Sequence, residues 1–411
     1  MLSKPSQHSS YRQAVQKILS PLDIQINGNR PWDMIVYDQE TYKRILSEGS
    51  LGLGESYING GWDSLQLDEF FCKLTKDKPD IKTFNPRVII PILASKLFNP
   101  QREGKSKRVI DQHYNLGNHF YTQMLDRNYM QYSCAYFKDT DNLDEAQKNK
   151  LELICGKLHL PKKGEGQTDR ILEIGSGFGG FAKFATTNYN CEVTGYNISR
   201  EQAAFSRELT KDLPVKIMEL DYRDAIVSRN KESFNKVVSI GFWEHAGPKN
   251  YRTGMEIVDF CLKPEGLFLL QTIGRHNNHG KRFDSWINYR IFPGGCLPFA
   301  SEILESSEGL FRLEDVHNFG HYYADTLGAW FKNFDSNWKQ FKEENGEEFY
   351  KKLKVSFKDW PDFEKDEGEK FYRMWKYYLL SCKGAFESGS IDLYQFVFSK
   401  GNFSWLYEPV R

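Results

Sequence analysis

The chain has 411 residues, a hydrophobic share of 40%, and 55 basic against 55 acidic residues, so its formal net charge is zero. That hydrophobic share excludes wholesale disorder, and the balanced charge excludes a protein that coats nucleic acid, which needs a surplus of Lys and Arg. Cys72, Cys134, Cys155, Cys191, Cys261, Cys296 and Cys382 are odd in number and contain no CxxC pair. Neither a disulfide framework nor a zinc site is expected, and a reducing, cytoplasmic compartment is. The first residues lack the long apolar stretch of a secretory leader, so none is expected, and no window reaches the ~20 apolar residues of a membrane span. Aromatic residues reach 15%, enough for a large core and also for a pocket that takes a cation or a long apolar ligand.

Residues 1–100 read as a small, mostly helical domain. Tyr42, Ile45 and Leu46 have helical spacing, and Gly52, Gly54, Gly60 and Gly61 punctuate the run LGLGESYINGGW. An apolar stretch, Val88 to Phe98, precedes a polar, basic linker at 101–112, whose Arg102, Lys105, Lys107 and Arg108 suit either solvent or anionic headgroups. Residues 113–411 then form a larger domain. A helix from about Leu143 to Leu158 lines up Leu143, Ala146, Leu151, Ile154 and Leu158, with Asn142 and Glu145 shaped as a capping box. The runs RILEI, CEVTGY, VKIM, KVVSI and LFLLQTI alternate with helical patterns, which predicts a mainly parallel sheet with helices on both faces. An aromatic, Gly-rich insertion at about 275–300 follows. FRLEDVHNF is a further strand candidate, helical segments surround Leu327 and Met374, and LYQFVFSK closes the sheet; the charged run KEENGEEFYKKLKVSFKDW reads as a solvated helical face.

The sharpest local signal is ILEIGSGFGG. A strand ends at Glu173, and Gly175, Gly177, Gly179 and Gly180 open a helix, so backbone N–H groups approach a ligand with no Cβ in the way. The glycines satisfy GxGxxG, but a dinucleotide site also wants an acid at the end of the second strand, where Tyr196-Asn197 stand. Read as Glu-x-Gly-x-Gly-x-Gly, the loop resembles the first motif of class I S-adenosylmethionine (SAM) dependent methyltransferases. Two further clusters, QHYNLGNHFYTQMLDRNYMQYSCAYF and SIGFWEHAGPKNY, are dense in Tyr, His and Asn, which a plain core would have to partner one by one.

YSCAYF, LEIGSGFGG and GFWEHAGPKNY, followed by LLQTIG, together resemble the cyclopropane fatty acid synthase family, which methylates double bonds of lipid acyl chains with SAM. The likeness runs from GSLGLGESYINGGW through HYNLGN, IFPGGCLP and HNFGHYYADTL to QFVFSKG. It implies a Rossmann-like class I methyltransferase fold, with a mainly parallel seven-stranded sheet and a small helical N-terminal domain that docks lipid. It also implies a homodimer at the inner face of the membrane, acting on unsaturated phospholipid in the bilayer. Matched by position, Tyr132, Ser133, Glu173, Gly175 and Gly177 contact SAM, Asn197, Ile198 and Gln202 hold the ribose and its neighbours, and Tyr222 lies near the adenine. A bicarbonate ion acting as base is implied at Cys134, Glu244, Gln271, the backbone of Ile273, and Tyr323, with Glu244, Tyr323, Cys134 and Gln271 as the catalytic set. The family has His where this chain has Gln271, and an amide carries neither a proton nor a positive charge.

An alkene is a weak nucleophile, so such an enzyme works by positioning in a dry site, and aromatic faces stabilise the resulting carbocation without bonding to it. Phe137, Tyr323 and aromatics of the insertion are candidates for that task, while a covalent role for Cys134 is disfavoured because a thiolate beside a carbocation risks alkylation. His317 and His321 have metal-like spacing but no third ligand, and His276 and His279 read as polar loop residues. A methyl-branched product, an amine acceptor as in the similar plant N-methyltransferases, and a lipid-binding module with a degenerate site are the competing readings.

Overall fold

The computed structural model describes residues 7–76, 118–225, 230–276, 284–356, 368–401 and 406–411. The stretch Val88–Phe98, the linker at 101–112 with the boundary drawn through it, the HYNLG run and His279 lie outside the described residues, as do the side chains of 344–356.

Helices Gln7–Leu19, Glu40–Glu48, Ser50–Ile58 and Leu67–Lys76 open the chain, and β1 (Ile35–Val36) pairs antiparallel with β2 (Trp62–Asp63). Gly60 and Gly61 end a helix as expected, but Gly52 and Gly54 stand inside Ser50–Ile58 rather than breaking it. Close approach is the reason: a Cβ on Gly54 would lie 2.3 Å from the Trp286 ring, and one on Gly52 would lie 2.1 Å from the Arg44 carbonyl oxygen. This region shares one aromatic core with helix Glu369–Glu387, so it does not bury its apolar faces alone. Arg373 fastens the two regions, donating to the carbonyls of Tyr57 (2.6 Å) and Trp62 (2.8 Å) and to Asp63 (2.9 Å). Gly384 lets the helices Leu67–Lys76 and Glu369–Glu387 touch backbone to backbone, since a Cβ there would sit 2.4 Å from the Asp68 carbonyl oxygen.

The remaining strands are β3 (Asp169–Ile174), β4 (Cys191–Asn197), β5 (Val215–Glu219), β6 (Phe234–Ile240), β7 (Leu262–Gly274), β8 (Phe311–Asn318) and β9 (Asp392–Lys400), each covering a run read as a strand from sequence. They form a seven-stranded sheet in the order β5-β4-β3-β6-β7-β9-β8, with β3 to β7 parallel and β9 antiparallel to both of its neighbours. Helices cover both faces. Leu151, Ile154 and Leu158 pack with Phe181 and Phe184 on one, and Met255, Ile257 and Val258 pack with Phe268 and Phe396 on the other. The helix predicted from Leu143 spans Leu143–Lys157, and the Asn142 side chain accepts from the Glu145 N–H at 3.1 Å. The capping box is only half made, because the Glu145 carboxylate takes the Thr140 hydroxyl (2.8 Å) instead of reaching back. The order reverses at β3, whose neighbours are β4 and β6, so a crevice opens beyond its carboxyl end.

Candidate active site

The glycine loop fills that crevice. Gly175 and Gly177 have φ of +80° and +50°, a region that costs any residue with a Cβ, and nothing lies within 4 Å of where a Gly177 Cβ would point. The loop is tied to β4 on both sides. The N–H groups of Gly175 and Ser176 donate to the Tyr196 carbonyl at 3.0 Å, and Asn197 Nδ2 donates to the Gly177 carbonyl at 2.8 Å. Asn197 thus occupies the place of a dinucleotide-site acid and serves as a loop clamp, while its Oδ1 accepts from the Ser199 N–H at 2.8 Å. A cavity above the loop is walled by every residue the family resemblance implies for the cofactor: Tyr132, Ser133, Glu173, Gly175, Gly177, Asn197, Ile198, Gln202 and Tyr222. Burial pushes the Glu173 carboxyl up to about 8, against the nearby Lys150 charge, and Oε2 has no hydrogen-bond partner among the described residues.

A turn at residues 129–133 forms the opposite wall. The buried Asp126 carboxylate accepts from the N–H groups of Tyr129 (2.7 Å) and Gln131 (2.6 Å), which holds Met130 at φ +50° between them. A non-glycine residue there stores roughly 1 kcal/mol of strain, of the kind that collects at ligand sites. Gly180 makes room for the turn, because a Cβ would meet the Tyr129 carbonyl oxygen at 1.8 Å and Gln131 Nε2 at 2.4 Å.

A second, mainly apolar cavity lies between the N-terminal helices, the insertion and helix Glu369–Glu387. Leu53, Phe71, Leu74, Ile287, Phe292, Leu327, Tyr378 and Phe386 line it, together with Glu244, Ile273 and Tyr323. Tyr132, Gly241 and His245 line both cavities, so these two spaces adjoin at that seam. Desolvation pulls His245 down to about 4, leaving a neutral imidazole with its ring edge-on to Phe292 at 5.3 Å.

Beside the seam, Glu244 Oε1 accepts from the Ile273 N–H at 2.6 Å, whereas Oε2 is buried with no partner among the described residues. Burial pushes Glu244 up to about 7, and the Ile273 bond works against that rise. Tyr323 stacks obliquely on Phe386 (4.6 Å), and burial drives its phenol well above the ordinary range. Two residues of the implied anion set turn elsewhere. Gln271 Oε1 accepts from Gln395 Nε2 across the β7–β9 pair (2.9 Å), and the side chain is no part of the cavity wall. Cys134 donates its thiol to the Ala135 carbonyl (3.2 Å) and is fully buried, which raises its pKa and leaves a poor nucleophile.

Phe137 packs on Tyr322 (6.4 Å) and lies outside both cavities. His317 stands one residue before the end of β8 against Tyr136 and Phe319, His321 opens the next helix against Tyr322, and His276 pairs with Asp392 (2.7 Å). The Tyr377–Phe386 face of the late helix escaped the sequence reading, whereas Glu244 and His245 stood out there as a pair facing the ligand. The WEHA motif was visible, but nothing local shows which space its histidine enters.

The profile of the mycolic acid cyclopropane synthetase family matches residues 101–359. Cyclopropane-fatty-acyl-phospholipid synthase of Escherichia coli K12 is 42% identical over 386 residues, covering 94% of this chain and 92% of that protein. A probable fatty acid methyltransferase of Pseudomonas putida is 32% identical, with 72% and 71% covered. Among solved structures, mycolic acid cyclopropane synthase CmaA1 complexed with SAH and CTAB superposes with a TM-score of 0.58 at 26% identity, over 73% of this chain and all of that one. Cyclopropane synthase MmaA2 of Mycobacterium tuberculosis gives 0.57 at 27%, over 71% and 97%.

Proposed function

Because the chain belongs to the mycolic acid cyclopropane synthetase family, we propose that it transfers a methylene group from SAM to the double bond of unsaturated phospholipid acyl chains, forming a cyclopropane ring. The observation that carries this reading is the seam: a glycine-floored cavity bearing hydrogen-bonding side chains such as Glu173, Asn197 and Gln202 adjoins a mainly apolar one at Tyr132, Gly241 and His245. The polar side fits the cofactor. The Gly177 cradle is open, and the orphaned Glu173 oxygen suits an ammonium group. Gln202 and Asn197 would hold the ribose, Tyr222 the adenine, and Tyr132 and Ser133 the amino-acid end. When bound, SAM supplies an electrophilic methyl group. The aromatic walls on the apolar side exclude water, keep the alkene in place, and present π faces to positive charge.

The ring closes only when a proton leaves, and bicarbonate is the base in this reading, held by Glu244, the Ile273 backbone and Tyr323. A carboxyl pushed up to about 7 is partly protonated near neutrality, so Glu244 can donate to an anion instead of repelling it. Bicarbonate when bound supplies the proton acceptor. The Gln271–Gln395 bond within the sheet and the Cys134–Ala135 bond in the loop leave Gln271 and Cys134 with indirect support at most.

The N-terminal domain (1–100), joined by the 101–112 linker to a catalytic domain (113–411), would dock on the inner face of the membrane as part of a homodimer. No helix among the described residues is long and apolar enough to cross a membrane, and the exposed Tyr37, Leu65 and Tyr289 belong to the regions that wall the apolar cavity. The test is incubation with SAM and mono-unsaturated phospholipid vesicles, with and without bicarbonate, reading fatty acids by mass spectrometry before and after hydrogenation. A product one CH2 heavier that resists hydrogenation and depends on bicarbonate is expected. One that takes up hydrogen would mean methylation without closure, and no product would transfer the reading to another acceptor.

A further inference from the structure

Lys150 is wholly buried yet lines neither cavity. It projects from helix Leu143–Lys157 behind the 129–133 turn, and its ammonium donates to Gln131 Oε1 and to Ser133 Oγ, the latter at 3.1 Å. One helical turn earlier Gln147 grips the same segment, donating to the Ser133 carbonyl at 2.9 Å. Asp126 and Glu173 are the carboxylates within electrostatic reach of the lysine. Asp126 already accepts from two backbone N–H groups of the turn.

A lysine ammonium can only donate. Its two bonds therefore occupy the Gln131 carbonyl oxygen and a lone pair of the Ser133 hydroxyl, which fixes how both side chains face the cavity they line. Gln131 keeps its amide hydrogens, one of them 3.2 Å from the Tyr129 carbonyl, and Ser133 keeps its hydroxyl hydrogen, with no acceptor among the described residues. Both present donors, as a carboxylate requires. The lysine charge also favours the ionised form of Glu173 across the same cavity, as an ammonium group requires.

We propose that Lys150 is a positioning residue for the amino-acid end of the cofactor: it sets Gln131 and Ser133 as carboxylate donors, and it places a positive charge behind them across the cavity from Glu173. The inference rests on the SAM reading of the polar cavity and adds a residue outside its wall. A lysine that merely pinned the turn to the helix would matter equally to any ligand of the cavity. One that sets polarity matters only to ligands carrying the zwitterion.

The test is calorimetric titration of the full chain with S-adenosylhomocysteine and with 5′-methylthioadenosine, which keeps the nucleoside and lacks the amino-acid end. In Lys150→Met, affinity for the homocysteine compound should fall about 30-fold while that for methylthioadenosine changes less than about threefold, reflecting lost charge-assisted bonds. Lys150→Arg should recover part of the loss. Equal losses for both ligands would make Lys150 a structural pin, and no loss for either would remove it from recognition; each overturns the proposal. Wild-type protein that binds neither ligand would sink the cofactor reading and this inference with it. If Lys150→Met does not fold, Ser133→Ala reads the same ratio, which should shift about fivefold towards methylthioadenosine, and an unchanged ratio overturns the proposal.

Discussion

The two cavities are built by different means. The polar one is assembled from a strand end, a glycine loop and a turn, all held by backbone hydrogen bonds and by short-range clamps such as Asn197 on Gly177 and Asp126 on the turn. The apolar one has no such local frame. Its walls come from residues near 50, 70, 285 and 380, and side-chain packing and partly buried ion pairs such as Arg290–Glu55 and Lys383–Asp68 hold them together. One site is therefore specified by motifs, whereas the other is specified by how distant segments meet.

The sharpest way to break the contrast is at Gly180. Gly180→Val should abolish S-adenosylhomocysteine binding, a loss of more than about 100-fold, because the new side chain must displace the Tyr129 backbone; titration checks it. Glu55 offers the reverse experiment. It takes the Arg290 guanidinium on both oxygens (2.8 and 2.7 Å) and also accepts from Trp286 Nε1 at 3.1 Å. Glu55→Ala strands a buried Arg290 charge and should cost about 3 kcal/mol in denaturant unfolding. Lipid turnover should fall while affinity for S-adenosylhomocysteine holds.

Glu244 separates stability from chemistry. Its folded pKa, about 7 against 4.5 for an ordinary glutamate, means that the protonated form is favoured on folding. Its stabilising contribution is complete below about pH 4.5 and is lost as pH rises through 7, about 3 kcal/mol in all. Glu173 shifts in the same direction and tilts both proteins alike. Glu244→Gln keeps the acceptor for the Ile273 N–H, so melting curves from pH 5 to 8 should show a shallower decline than in the wild type, with turnover lost. The smallest effect belongs to Leu65, 80% exposed. Leu65→Asp should weaken vesicle binding about fivefold, from lost apolar contact, with cofactor affinity untouched in the same preparation.

The contrast also explains what could be read in advance. Each strand of the seven-stranded sheet was legible as a short run, whereas β1 and β2 were not, and the helix from Leu143 showed through both its cap and its periodicity, because these signals are local. The glycine loop and the YSCAYF and WEHA segments carried the polar cavity for the same reason. Gly52 and Gly54 misled because a glycine that serves close packing looks, in sequence, like one that serves a turn; only Trp286 and the Arg44 carbonyl, far and near along the chain, tell them apart. Gln271 could be seen as a departure from the family, but its partner, Gln395, lies 124 residues on. No spacing rule connects them.

Gly384 has a consequence for how rigidly the apolar cavity is framed. Where helices Leu67–Lys76 and Glu369–Glu387 cross, main chain meets main chain, with the Asp68 carbonyl and the Cys72 N–H at the contact. Side chains can change rotamer; peptide planes in two helices cannot. The spacing of the two helices at that crossing is thus a fixed dimension, closer to a machined spacer than to a soft lining. Any adaptability of the apolar cavity resides away from the crossing, in flexible lining side chains such as Leu53 and Leu74.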